Sequence, residues 1–439
     1  METAPSSKGL SLPTKILLGL IVGAGVGVTL NLLYAPPLGQ PASGPYTTIA
    51  NVADTVVKPL GDLFLSLLFM VVVPIVFSSL FLGVAGLGSV AKLGNLGGRT
   101  LLWFLLTTAF AVVIGITLVN LIEPGRAVSP EVAAQIKAQY LGDAKARIGQ
   151  AEQAKGWVQM LVDIVPRNVV GAAADNGKVL GLIFFALILG AASIRMAQER
   201  TRVLRELLEA IYELCVRVLG WVMQLAPYGV ACLIFHATAK LGIDVMKLVG
   251  FYFLTAMGGL LLFQVVVITA LAKVFAGLSP GRFYRGCRTL IVTAFSTSSS
   301  NATLPTTIRT ATDEFGAPKE IAGFVMPLGA TMNMNGTALF EGVSILFLAQ
   351  VYGTPLGIGQ QLLVVGMAVL TAIGAAGVPG GSIPLLAIVL TQVNVPPEML
   401  ALILGVDRLV DMTRTVPNVT SDLVCSLWLA RREGHALKT

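Results

Sequence analysis

Long runs without Asp, Glu, Lys or Arg dominate the chain: Ile16–Leu33, Leu63–Ala91, Leu101–Ile122, Val218–Ala239 and Leu248–Ala272. Each is about the 20 residues that a helix needs to cross a bilayer core. Val179–Ile194 is shorter and extends a softer apolar segment that begins near Trp157. The pattern predicts six ordinary spans in the first two thirds of the chain. From Gly342 to Pro397 there is no charged residue at all. That stretch is too long for one straight span, so it must fold back on itself.

Composition agrees with the bilayer as solvent. The 439 residues are 55% hydrophobic and 12% charged, with a mean hydropathy of +0.81, whereas soluble domains average roughly 25% charged. The net charge of +7 fits basic cytoplasmic loops rather than nucleic-acid binding. Cys215, Cys232, Cys287 and Cys425 form no C-x-x-C pair, and with two histidines in the chain they read as packing residues, not as a zinc site or a disulfide framework. Lys8 and Lys15 precede the first apolar run as they would in a signal peptide. No small-residue cleavage site follows, so the run reads as the first span. Lys92, Arg99, the Arg195–Arg205 link, Arg282, Arg285, Arg288, Arg431 and Arg432 place the basic loops and both termini in the cytoplasm. Arg126–Lys155 mixes both signs and fits a longer outside loop.

The final third departs from simple spans. Ser296–Pro305 reads S-T-S-S-S-N-A-T-L-P between Arg288 and Arg309. Lipid cannot satisfy such a run of hydroxyls, and irregular backbone at membrane depth must be buried in protein or line a cavity. With basic flanks it is predicted to be a re-entrant hairpin entering from the cytoplasm. The sequons at Asn301 and Asn418 would then lie inside the membrane and carry no glycan. Ala372–Ser382, A-I-G-A-A-G-V-P-G-G-S, has the glycines of a second reversal and no basic flank, so it is predicted to enter from outside. A helix with polar residues follows each. Interrupted segments in matching positions of two inverted halves point to a transport site near the midplane.

Asn333, Asn335 and Gly336 predict local unwinding that frees carbonyls for a cation. Glu341 stands alone in an apolar span and is the candidate proton carrier. In the last helix Asp407, Asp411, Arg414, Asn418 and Asp422 follow steps of four, three, four and four. They share an arc of about 80°, a narrow polar stripe in an otherwise apolar span. Arg414 can clamp a carboxylate through two hydrogen bonds. Asp411, one turn away, can receive an ammonium group or orient Arg414. Asn418 and Asp422 offer hard oxygen ligands to a cation.

Four ordered motifs, S-S-S-N-A-T-L-P, P-L-G-A-T-M-N-M-N-G-T, G-A-A-G-V-P-G-G and V-D-R-L-V-D-M-T-R-T-V-P-N-V-T-S-D, make the chain resemble the glutamate transporter family, the dicarboxylate/amino acid:cation symporters. I-V-P-R-N-V-V-G and L-L-T-T-A-F-A-V extend the resemblance upstream. It implies an all-α membrane fold with eight transmembrane helices and two re-entrant helical hairpins in inverted repeats. It also implies a homotrimer in the cell (inner) membrane and an elevator-type movement. Residues 14–95 and 156–245 would form the scaffold, and 96–125 and 246–432 the transport domain. The second hairpin would act as the outer gate.

By motif position, the resemblance assigns substrate contacts to Ser298, Ser300, Thr337, Val378, Asp411, Arg414, Thr415 and Asn418. The arginine matching Arg414 binds the distal carboxylate in members that take acidic substrates. A co-transported sodium ion would meet Gly329, Asn333, Asn418 and Asp422. A second would use the backbone at Thr331, Ala372, Ile373 and Ala375. A third would use Thr107, Thr108, Asn333 and Asn335. Asn335 stands where the family commonly has Asp, so that third set loses a negative charge. Many prokaryotic sodium-coupled members have Gln where this chain has Glu341. Some members carry an arginine in the first hairpin tip, others beside the arginine matching Arg414; here Ser298 and Met412 occupy those positions. The function implied is a secondary active symporter of aspartate, glutamate or C4-dicarboxylates coupled to sodium, with or without a proton. A purely proton-coupled carrier is the alternative. An ion channel lined by the stripe and an intramembrane hydrolase built on Ser298–Ser300 are the rivals from other classes. The hydrolase lacks a base near its serines in sequence, with His236 and His435 both far off.

Overall fold

Every backbone polar group in a bilayer must be satisfied within the chain, and a helix does this locally. The computed structural model describes residues 10, 12–35, 44–91, 95–127, 165–174, 179–374 and 377–438, and it is helical almost throughout. The first helix, α1, spans Leu12–Tyr34; α2 (Pro45–Val52) runs through a π turn, Ala53–Val57, into α3 (Lys58–Met70), and α4 follows at Val72–Ala91. Next come α5 (Asn95–Ile122), the short α6 (Val169–Ala174), α7 (Val179–Ile194) and α8 (Gln198–Leu241). Among the described residues six helical stretches are long and apolar enough to cross a membrane. The chain is therefore a multi-pass, all-α membrane protein. Most of the expected outside loop, and the residues near Trp157, lie outside the described residues.

The Arg195–Arg205 link, expected as a loop, is partly helix. α8 begins at Gln198 and carries Arg200, Arg202 and Arg205 in its first turns. That segment alternates Glu, Arg and Leu without Gly or Pro, all strong helix formers, so propensity extends the helix beyond its apolar part.

α1 and α8 approach closely. A Cβ on Gly19, Gly23 or Gly27 would overlap the Pro227 carbonyl, the Ala231 carbonyl or the Thr238 hydroxyl, respectively. Small residues four apart let helix backbones touch where no hydrophobic force drives them together. At the C-terminal end of this pair Asp54, in the π turn after α2, bonds His236 Nε2 at 2.9 Å and Lys240 Nζ at 2.7 Å. α3 and α4 pack on α8, and α7 packs on α4.

The second group begins with α9 (Ile243–Leu262), which continues through π turns to Ala276. α10 spans Pro280–Thr297 and α11 Ser300–Arg309. They are separated by Ser298 in the left-handed region (φ 49°) and by Ser299, whose hydroxyl accepts the Ala302 amide at 3.1 Å. α12 (Lys319–Met332) and α13 (Asn335–Tyr352) are parted by extended backbone at Asn333 and Met334, the unwinding expected there. α14 (Ile358–Gly374) and α15 (Ile383–Gln392) flank the second reversal, and α16 runs from Leu404 to Arg432. α10 packs on α11 and α14 on α15, so both breaks turn the chain back. The two tips also meet. Ser299 Oγ and the Asn301 amide both donate to the Gly377 carbonyl, the latter at 3.3 Å. α12, α13 and α10 surround α16, while α5 packs on α13.

Two outcomes are expected from these contacts. Gly23→Leu should abolish monodisperse protein in detergent gel filtration, whereas Gly25→Leu, which has open space around it, should leave the profile unchanged. Ser299→Ala removes a helix cap worth about 1 kcal/mol and the bond between the tips. Hydrogen exchange should rise at residues 300–303 and 377–380 together; a rise in the first segment alone would contradict the tip-to-tip bond.

Candidate functional site

The polar stripe of α16 is buried as a whole. Asp407, Asp411, Arg414, Asn418 and Asp422 are each no more than 4% exposed. Three residues along a helix bring side chains to one face, and Asp411 Oδ1 accepts Arg414 Nε at 3.0 Å and Nη2 at 2.6 Å. Its other oxygen accepts Arg408 Nη1 at 3.1 Å and the Gly380 amide at 3.3 Å. Asp411 therefore orients Arg414, one of the two roles the sequence left open. The guanidinium lies 4.5 Å from the Phe340 ring centroid, a cation–π contact. Its Nη1 is buried without a hydrogen-bond partner among the described residues.

Arg414 lines a cavity of about 260 Å³ together with Ser298, Ser300, Met334, Thr337, Gly377, Val378, Ser382, Asp411, Thr415 and Asn418. All eight residues expected to touch substrate line this one space. They come from the first tip, from α13, from the second tip and from α16. Ser298 Oγ and Ser382 Oγ are also buried without partners among the described residues. Buried polar groups are costly when unmet, so the wall is built for a polar guest with acceptors.

Asn418 lines the cavity and ties α16 to the start of α13. Its Oδ1 accepts the Gly336 amide at 2.7 Å and its Nδ2 donates to Thr337 Oγ1 at 3.3 Å. Gly336 is required there, since a Cβ would strike the Arg414 carbonyl.

Next to it lies a second polar cluster. Asn333 Nδ2 donates to Asp422 Oδ1 at 2.8 Å and to Ser421 Oγ at 3.1 Å. Gly329 lies so close to Asp422 that a Cβ would collide with the carboxylate. Asn335 Nδ2 donates to Ser421 Oγ at 2.7 Å, and its Oδ1 accepts Thr108 Oγ1 at 2.8 Å and Thr107 Oγ1 at 3.4 Å. Thr107 Oγ1 also reaches Asn333 Oδ1 at 3.3 Å. The structure thus assembles Gly329, Asn333 and Asp422, and beside them Thr107, Thr108 and Asn335. The backbone set is less complete. Thr331 is exposed at the end of α12, Ala372 and Ile373 end α14, and Ala375 lies outside the described residues. The Ile373 carbonyl lies 3.2 Å from where a Cβ on Gly83 of α4 would sit.

Glu341 is fully buried on α13. Its Oε2 accepts Thr371 Oγ1 of α14 at 2.8 Å, and Oε1 has no partner among the described residues. His236 is engaged by Asp54 on the α8 side.

Sequence reading missed Arg408, Ser421, Ser382 and Phe340. Arg408 sits outside the arc of the stripe, but its spacing of three from Asp411 was a usable signal. Ser421 and Phe340 belong to no polar period of their own, and only packing reveals them.

The family model described as the sodium:dicarboxylate symporter family matches residues 12–432. The chain is 37% identical to the proton/sodium-glutamate symport protein of Bacillus subtilis, covering 96% of this chain and 93% of that protein. It is 34% identical to the proton/glutamate-aspartate symporter of Escherichia coli, over 86% and 85%. It is 30% identical to a C4-dicarboxylate transport protein of Bacillus subtilis, over 86% and 88%. The breadth of these matches carries one conclusion: the chain belongs to the sodium:dicarboxylate symporter family.

Proposed function

We propose that this protein is a secondary active symporter of acidic amino acids or C4-dicarboxylates, driven by sodium, by protons or by both. The observation that carries the reading is the cavity lined by Arg414, Ser298 and Ser382, whose Nη1, Oγ and Oγ atoms, unmet among the described residues, all suit a carboxylate. The relatives' transport of glutamate, aspartate and C4-dicarboxylates supports the same class. Arg414 takes the distal carboxylate. Ser298, Ser300, Val378 and the tip backbone hold the other end, with Thr337, Thr415 and Asn418 between.

Gly329, Asn333 and Asp422, with Asn418 after rearrangement, form the principal sodium site, since carboxylate, amide and carbonyl oxygens suit a hard cation. The backbone at Thr331, Ala372, Ile373 and Ala375 forms a second when the outer tip closes. The Thr107–Thr108–Asn335 cluster is a hydrogen-bonded network without a carboxylate, which argues against a third ion there. Glu341 carries a proton between α13 and α14. Asn335 and Glu341 together favour one second reading, a carrier coupled to protons alone.

In this scheme the two breaks are re-entrant hairpins and complete an eight-span topology with cytoplasmic termini. Residues 14–95 and 156–245 form a trimeric scaffold, against which 96–125 and 246–432 move as an elevator. The packing of α1, α3, α4, α7 and α8 as one group and of α5 and α9–α16 as another supports that division. The tip-to-tip bond supports the second hairpin as the gate. Coupling follows because ions and substrate favour the same closed state, and a ligand shifts an equilibrium only by its differential affinity.

Uptake of labelled aspartate and succinate into liposomes, with sodium and proton gradients imposed separately, tests the reading. Arg414→Ala should lower uptake of both labels by about 100-fold, as expected when a charge-assisted contact worth up to roughly 3 kcal/mol is lost; normal uptake would refute the assignment. Asp422→Asn should remove the sodium-driven component and Glu341→Gln the proton-driven one. Uptake driven only by protons, and insensitive to Asp422→Asn, would establish the second reading.

A further inference from the structure

Asp411 is fully subscribed. A carboxylate offers about four lone-pair sites, and here four donors occupy them: Arg414 Nε and Nη2 on Oδ1, Arg408 Nη1 and the Gly380 amide on Oδ2. Asp411 is also the one carboxylate on the cavity wall among the described residues. Arg408 is not on that wall. It is bonded to Asp411, with a side chain 9% exposed.

Two substrate classes meet this arrangement differently. A C4-dicarboxylate presents only acceptors. It can engage Arg414 Nη1 and the two serine hydroxyls, all unpartnered, without breaking any bond to Asp411. An acidic amino acid also brings an ammonium group, which needs an acceptor once it leaves water. The wall's single carboxylate has no free site, so one donor must yield. Arg414 holds Asp411 by two bonds and is needed for the substrate's own carboxylate. Arg408 holds it by one bond of 3.1 Å.

We propose that Arg408 is a specificity-determining residue: it occupies the Asp411 oxygen that a substrate ammonium must take, and so sets the balance between amino-acid and dicarboxylate transport. The proposal rests on the substrate class argued above. Charge acts in the same direction. Asp407, Arg408, Asp411 and Arg414 sum to zero when ionised, and removing Arg408 leaves a net negative site. In a poorly screened interior that disfavours a dianion more than an amino acid carrying a compensating ammonium. Arg408 is a positioning residue, since it acts on substrate through Asp411.

The test is a ratio, which a loss of folding or of active protein cannot move. Wild type, Arg408→Met and Arg408→Lys are reconstituted, and kcat/KM is measured for aspartate and succinate. Arg408→Met should raise the aspartate-to-succinate ratio about tenfold or more, the size of one charge-assisted hydrogen bond, mostly through a lower KM for aspartate. Arg408→Lys, which keeps the charge, should return the ratio towards wild type. An unchanged or lower ratio in Arg408→Met, or an equal loss for both substrates, overturns the proposal while leaving the symporter reading intact. Wild type that transports neither label overturns both. If Arg408→Met does not assemble, Arg408→Gln, which also lacks the charge, is judged by the same ratio.

Discussion

A carboxylate held between two guanidinium groups inside a bilayer protein is the constraint around which the site is arranged. Asp411 and its arginines are nearly inaccessible. Charges in such a place persist only when paired and hydrogen-bonded, and removing one partner leaves the other uncompensated. The pairing fixes Arg414 against Phe340 with one nitrogen free. It also ties the second tip to α16 through the Gly380 amide. The electrostatic need of one aspartate thus joins the second tip, Arg414 and α16.

The surrounding helices are broken where that arrangement requires backbone rather than side chain. α10 stops at Ser298 and α12 at Asn333, and each break frees polar groups that the opposite element collects: Gly377 receives Ser299 and Asn301, and Asn418 receives Gly336. At Gly329 and Gly336, α12 and α13 come close enough to α16 that a Cβ would collide with it. A side chain at either would push the segment away from Asp422 or Arg414. Close packing and polar satisfaction are consequences of the same contacts.

The neutral network at Thr107, Thr108, Asn335 and Ser421 shows how one atom changes such a site. An aspartate at position 335 would present two acceptors and a charge; the asparagine presents one acceptor and one donor. The donor finds Ser421 and the acceptor finds the threonines. The cluster closes on itself and becomes a packing element between α5, α13 and α16.

Much of this was legible without coordinates. Charge-free runs of spanning length determine the membrane class, because lipid admits little else. The period of the stripe in α16 determines which of its polar residues share a face, because helical geometry is local. The serine- and glycine-rich breaks are visible because regular backbone cannot continue through them. What crosses between elements was not legible. That Arg408 binds Asp411 rather than solvent, that Asn418 turns to Gly336 rather than to Asp422, and that the two tips share the Gly377 carbonyl depend on helices distant in sequence arriving at angstrom separations. Periodicity along one helix names a face. Only the packed tertiary structure decides what that face meets, because each hydrogen bond is won by whichever donor the neighbouring backbone brings within reach.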